Sequence, residues 1–325
     1  MSYPSHSLRA PAAVADRRAS RECGGERAIH GGEPDGGDVL ARELGCVGHW
    51  RLDRQVGEGR FALAYLARPA NCGPSRPADY VVKLLRPHLE GDDLAVETLL
   101  REAEIGQSVS HPHLAPVLQA RVASPPYFVV LPFLEGATLQ AKLAQEPAMP
   151  VPVALWIARQ TTEALAALHE AGWMHGDVKP ANVFVSPGGH VTLFDCGLAH
   201  RIGREGNALL RPLTGTYHYI APEMVTSTLR ADGRSDIYSL GVTLFEMLTG
   251  RLPFEAATVE ELIQAHLTRR PPEPRRYRPG LPPRLAKLLR RMLAKEPLRR
   301  PQSALELIRA LTQLEIETFE ERFAA

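Results

Sequence analysis

Cysteine is scarce in this chain. There are four among 325 residues (Cys23, Cys46, Cys72 and Cys196), and none sits in a Cys-x-x-Cys pair. The scarcity argues against a disulfide framework and predicts a reduced, intracellular protein. No apolar run reaches the roughly 18 residues that a membrane helix requires. The N-terminus has no apolar core of the kind found in secretion signals. The expectation is a soluble, cytoplasmic protein with no membrane segment. Charge of one sign is also missing: the formal net charge is +1, so nothing global points to nucleic acid or an anionic surface. Internal repeats are not visible. What is present is globular in composition, 44% hydrophobic and 23% charged, with enough chain for one large two-lobed domain or two ordinary ones.

The first 45 residues differ from the rest. They hold three Gly-Gly pairs, scattered Arg and acid, and no sustained apolar period. Such a segment buries too little surface to offset its ordering entropy, and residues 1–45 are predicted to be a mostly disordered tail. From Trp50 to Tyr127 the pattern suits a small β-rich unit. Strands are predicted over Trp50–Val56, Ala62–Arg68, Tyr80–Leu85, Ala115–Val122 and Tyr127–Pro132. One helix is predicted over Asp93–Val109, with Val96, Leu99, Leu100 and Ala103 inward. Beyond Thr138 helices dominate: Val151–Glu170, Asp236–Thr249, Thr258–Thr268, Pro283–Ala294 and Ser303–Glu320. The second of these is apolar nearly all round, the mark of a helix buried inside a large lobe.

The most informative stretch is His175-Gly176-Asp177-Val178-Lys179-Pro180-Ala181-Asn182. An Asp, a Lys two residues on and an Asn five residues on can converge on one transferring phosphoryl group. The Asp orients the attacking hydroxyl, the Lys offsets phosphate charge and the Asn holds a metal ion. A short apolar hairpin then leads to Asp195-Cys196-Gly197, a second carboxylate able to bind Mg²⁺. Together these resemble the catalytic loop and metal-binding segment of protein kinases. Val56-Gly57-Glu58-Gly59-Arg60-Phe61-Ala62 resembles the same family's glycine-rich loop over ATP, with Ala62 in place of its third Gly. Tyr80-Val81-Val82-Lys83 resembles the strand that carries the phosphate-contacting Lys. Thr214-Gly215-Thr216-Tyr217-His218-Tyr219-Ile220-Ala221-Pro222-Glu223 resembles the activation segment of the Ser/Thr members.

The resemblance runs from about residue 50 to 320 and implies a bilobal α+β kinase fold of the bacterial, eukaryotic-like type. The lobes it implies are 49–135, β-rich with one main helix, and 136–322, mostly helical. It implies ATP and Mg²⁺ as cofactors and protein Ser/Thr hydroxyls as acceptors. By resemblance Asp177 is the catalytic base and Lys179 its electrostatic partner, while Lys83 is held by Glu102 rather than by its neighbour Glu104. Asn182 and Asp195 are the metal ligands. The nucleotide would meet Val56, Gly57, Gly59, Ala64, Val81, Lys83, Leu131, Pro132 C=O, Leu134 N–H and Phe184. Ala64 and Val81 look like an exchange of the large and small residues that cap adenine, which keeps volume roughly constant. Thr216 would hydrogen-bond Asp177 and Lys179, Glu223 would pair with Arg300, and Asp236 would brace the catalytic loop.

Three departures from the pattern bear on activity: Ala62, Gly176 in place of an Arg beside the catalytic Asp, and Cys196 in place of a Phe. Gly176 predicts activity that does not depend on activation-loop phosphorylation. The three departures are also what would favour an alternative, a catalytically weak ATP-binding scaffold. A small-molecule phosphotransferase would share the His-x-Asp…Asn loop but not Asp236, Arg300 or Ala-Pro-Glu. Arg269, Arg270, Arg275, Arg276 and Arg278 sit among prolines. They read as a solvated connection, with a surface for an acidic partner as the alternative. His175 reads as a packing residue beneath the loop and Cys196 as an inert one.

Overall fold

Strand-forming residues alternate between two faces, and that alternation organises the first half of the structure. A computed structural model of the chain describes residues 45–73, 75–203, 217–226 and 231–319, all within one unit spanning Glu43–Ala325. Residues 1–44 of the predicted tail, with Thr214 and Thr216, lie outside the described residues. The fold is bilobal α+β. Its first half is a six-stranded antiparallel sheet of β1 (Cys46–Val47), β2 (Trp50–Glu58), β3 (Ala62–Pro69), β4 (Tyr80–Leu85), β5 (Gln119–Arg121) and β6 (Phe128–Pro132). The strand order is β1-β2-β3-β4-β6-β5.

Tyr65, Ala67, Val82, Phe128 and Val130 pack on one face of the sheet. The alternate residues Leu85, Val129 and the partly buried Leu131 pack on the other, against helix α1 (Asp93–Ser108). Lys83 shares this second face. Asp92 caps α1, its carboxylate accepting from the Ala95 N–H at 3.0 Å, which satisfies one otherwise orphaned donor.

Two expectations fail here for identifiable reasons. Leu100 is 39% exposed, and the buried face of α1 runs instead through Ala95, Thr98, Leu99, Glu102, Ala103 and Ile105. Strand β5 is much shorter than Ala115–Val122. Pro116 has no N–H to give a ladder, and the Ala115 N–H is drawn away to Leu193 C=O at 2.9 Å.

The second half holds β7 (Ala137–Thr138), α2 (Leu139–Gln145), α3 (Val151–Glu170), β8 (Trp173–Met174), β9 (Val183–Val185), β10 (Val191–Leu193) and β11 (His200–Arg201). It continues with α4 (Gly233–Thr249), α5 (Val259–Thr268), α6 (Pro283–Met292) and α7 (Ala304–Glu317). As the periodicity predicts, Ile157, Thr161, Ala164, Leu165 and Leu168 of α3 are buried, and α4 is buried along nearly its whole length. α4 begins earlier than Asp236 because Asp232 caps it, accepting from the Arg234 N–H at 2.9 Å. Among the described residues no helix is long and apolar enough to cross a membrane.

Candidate functional site

Register on the sheet places the first polar group of the site. Lys83 stands opposite Ala64 on β3 and Val129 on β6. Its Nζ reaches Glu102 Oε2 at 2.6 Å and Asp195 Oδ1 at 2.7 Å. Glu102 is buried, whereas the Asp195 side chain keeps 39% of its surface. Burial works against charge on Lys83, yet its two carboxylate neighbours prevail and raise its pKa above the ordinary value. Burial would lift Asp195, but Lys83 beside it holds that carboxyl below its usual range. Glu102 is pushed up, first by burial. Glu104 instead meets Arg201 at 2.7 Å, and the acid that meets Lys83 is Glu102.

Asp195 adopts a left-handed backbone (φ 65°) at the end of the β9–β10 hairpin. Two contacts with α1 hold the turn that follows. Arg101 Nη1 donates to Gly197 C=O at 2.9 Å, and a Cβ on Gly197 would lie 2.5 Å from Thr98 Cγ2. Burial, with Glu102 and Asp195 nearby, pushes the Cys196 thiol up, which agrees with an inert packing role.

Asp177 comes from the loop between β8 and β9 and is buried. Lys179 Nζ lies 2.8 Å from its Oδ2. Asn182 Nδ2 donates to Asp177 Oδ2 at 2.9 Å and to its carbonyl at 2.8 Å. Asn182 C=O in turn accepts from the Phe194 N–H at 3.1 Å, which ties Asn182 to the residue before Asp195. The loop is suspended from α4: Asp236 accepts the N–H groups of His175 and Gly176, both at 2.8 Å, and meets His169 Nε2 at 2.8 Å. Burial opposes charge on Asp236, but these partners keep its carboxyl below the usual range. Gly176 has φ 73°, a conformation that costs a side-chain-bearing residue strain. His175 is fully buried with Nε2 at 3.1 Å from Phe194 C=O, a packing role as expected. Arg300 grips Glu223 with both terminal nitrogens, at 2.6 and 2.8 Å, and both residues are buried.

Gly59, Lys83, Glu102, Asp177, Lys179 and Asp195 line one cavity of about 350 Å³, together with Phe61, Thr98, Leu198, Tyr217 and Ile220. Other predicted residues lie elsewhere. Leu134 and Phe184 line a separate shallow groove. Val81 pairs with Leu66 and Leu131, Ala64 pairs with Gly57, and Val56 sits at a bulge between Gln55 and Gly57. Pro132 ends β6 opposite Tyr80. The Leu134 N–H has no hydrogen-bond partner among the described residues. Thr98 and Leu99 escaped the sequence reading of the site, although Thr98 lies one helical turn before Glu102. Arg101 and His169 carried no motif signal.

The residues present fit a magnesium nucleotide. Asp177 Oδ1 is buried without a hydrogen-bond partner among the described residues, an arrangement that wants a donor such as a substrate hydroxyl. Asp195 and the side-chain oxygen of Asn182 are hard oxygen donors of the kind Mg²⁺ takes alongside phosphate. Among the described residues no cluster of three His, Cys, Asp or Glu could hold a metal unaided.

The model of the protein kinase domain family matches residues 50–311, and the chain belongs to that family. Among its relatives are bacterial enzymes: serine/threonine-protein kinase PrkC of Bacillus subtilis is 28% identical over 257 residues, 79% of this chain and 39% of that one. Serine/threonine-protein kinase PknD of Mycobacterium tuberculosis is 33% identical over 271 residues, covering 83% and 40%. Serine/threonine-protein kinase pkn3 of Myxococcus xanthus is 32% identical over 266 residues, covering 78% and 48%. The match thus takes in about two fifths to one half of these relatives' length.

Proposed function

We propose that the protein is an active Ser/Thr protein kinase that transfers the γ-phosphoryl group of Mg²⁺–ATP to protein hydroxyls. The observation that carries this reading is the Lys83–Glu102–Asp195 cluster facing the same cavity as Asp177 and Lys179. Asp177 accepts the acceptor's proton through its unpartnered oxygen, and Lys179 offsets charge at the phosphate. Asn182 and Asp195 hold the metal, while Lys83, kept charged by two carboxylates, orients the phosphates. Gly57 and Gly59 bring backbone over them. Val56, Ala64, Val81, Leu131 and Phe184 surround adenine, which is held by Pro132 C=O and Leu134 N–H. In this reading the lobes are 49–135 and 136–322, residues 1–45 are a tail, and the protein works in the cytoplasm.

The scaffold alternative gains nothing from Ala62, Gly176 or Cys196, since each is accommodated without displacing a polar group of the cluster. Mixing the protein with radiolabelled ATP, Mg²⁺, a generic basic protein and an aminoglycoside panel tests the reading. Label on Ser or Thr of protein is expected. Label on the small molecules alone, or none anywhere, would remove it.

A further inference from the structure

Residues 269–300 contain twelve Lys or Arg and two Glu, a local charge of +10 in a chain of net charge +1, so everything else sums to −9. Much of this charge is matched locally. Arg300 holds Glu223, and Arg278 Nη1 donates to Met149 C=O at 2.5 Å and to Leu248 C=O at 3.2 Å. Arg291 meets Glu306, Arg299 meets Glu296, Arg290 meets Glu273 and Arg284 meets Glu317.

Arg269, Arg270, Arg275, Arg276 and Lys287 are different. All five are exposed, and none has a carboxylate partner among the described residues. The backbone between them is stiffened by Pro271, Pro272, Pro274, Pro279, Pro282 and Pro283. The Glu273–Arg290 pair ties the 3₁₀ turn Pro274–Arg276 to α6, and Arg251 adds a sixth cation over the Tyr277 ring, 5.9 Å from its centroid. The chain therefore presents unneutralised guanidinium groups on a fixed frame rather than on a loose tail.

The position of this face says which anion it suits. It starts at the C-terminal end of α5, and α5 packs against the turns Tyr217–Tyr219 and Pro222–Met224. Tyr217 and Ile220 line the cavity that holds Asp177. A ten-residue helix is about 15 Å long, so a polypeptide leaving the cleft over α5 reaches Arg269 within a few residues. Arginine outnumbers lysine here, and its planar fork matches carboxylates in pairs. A single-stranded nucleic acid would want several stacking aromatics, and only Tyr277 is present.

We infer that this face docks an acidic segment of the protein substrate outside the catalytic cleft. The inference rests on the kinase reading above and adds the substrate class: proteins with a run of Asp or Glu near the phosphorylated hydroxyl.

Binding can be read without turnover by titrating the whole protein against a fluorescein-labelled polyglutamate peptide in low salt. Arg269→Glu with Arg276→Glu should weaken binding at least tenfold. Arg51→Glu with Arg54→Glu, the same change in net charge at exposed positions on β2, should leave binding nearly unchanged. About 0.3 M salt should abolish it. In turnover, a glutamate extension on a Ser/Thr peptide should lower KM about fivefold at constant kcat. That advantage should vanish in Arg269→Gln with Arg276→Gln, while the unextended peptide is turned over as before. Equal losses in both charge-reversed proteins, no peptide binding, or tighter binding of phosphatidylserine vesicles or oligo-dT would overturn the inference. Intact peptide binding with no turnover of either peptide would keep the acidic partner and remove the kinase reading instead.

Discussion

At the scale of single residues, the site is a set of charges that cannot stand alone. Glu223 and Arg300 illustrate it: both are buried, Arg300 donates to both Glu223 oxygens and to the Ala294, Arg234 and Lys295 carbonyls, and Ser235 Oγ adds a bond to Glu223 at 2.6 Å. Removing one partner leaves an uncompensated buried charge, which typically costs about 3–5 kcal/mol. Arg300→Met should therefore lower the urea midpoint sharply without changing any group that faces the cavity; a shift equivalent to under about 1 kcal/mol would contradict the burial argument.

Val81 makes a subtler case. Its direct neighbours are Leu66 and Leu131, not Ala64, so the exchange of sizes between positions 64 and 81 acts diagonally across β3 and β4. Val81→Ala should loosen ATP binding several-fold, since losing about 1 kcal/mol of apolar contact is roughly fivefold in Kd. An unchanged nucleotide Kd in calorimetry would dispose of the exchange. These pairings show why individual residues were legible before the fold was. Lys83, Asp177, Asn182 and Asp195 sit in short motifs whose spacing already implies convergence. Arg101, His169 and Thr98 work through partners far away in sequence, so no local spacing could reveal them.

Among elements, α1 matters most, because it carries Glu102. It is held by Lys83, by the Arg101 bond to Gly197 C=O, and by close packing of Gly197 on Thr98. Gly197→Ala would drive a methyl group into Thr98 and push α1 from the sheet. The expected outcome is a fall in kcat of at least tenfold, about 1.4 kcal/mol, with a melting temperature lowered only modestly. Normal kcat would show that α1 can give way without losing Glu102.

The catalytic loop is held by Asp236 of α4 through backbone N–H groups, with glycine at position 176 where a basic side chain could have waited for a phosphate. Activity should accordingly survive phosphatase treatment and Thr214→Ala. Loss of most turnover in either experiment would refute that independence.

Long periodic elements such as α3 and α4 were readable from sequence because their pattern spans several turns. β1, β7, β8, β11 and α2 were not, since a two-residue strand exists only where a neighbour supplies its hydrogen bonds, and a seven-residue helix spans too few turns for its period to show. Arg278 was misread as solvated for a related reason: its bonds run to carbonyls at Met149 and Leu248, from two other segments of the chain.

For the whole molecule, the two halves share a buried core through Ile105, Val109 and Leu114, and polar contacts join them at the cavity. Lys83 and Glu102 belong to the sheet-bearing half, while Asp177, Asn182 and Asp195 belong to the helical half. The 2.7 Å contact between Lys83 and Asp195 joins them across the cavity. Phosphoryl transfer asks little covalent chemistry of the protein and depends on such positioning and charge. The decisive measurement compares wild type with Asp177→Asn in single-turnover phosphoryl transfer from radiolabelled Mg²⁺–ATP, with nucleotide binding measured in parallel. The predicted result is a rate lower by several orders of magnitude, each tenfold being about 1.4 kcal/mol, at a nearly unchanged Kd for ATP. An Asp177→Asn protein that transfers phosphate at the wild-type rate would contradict it.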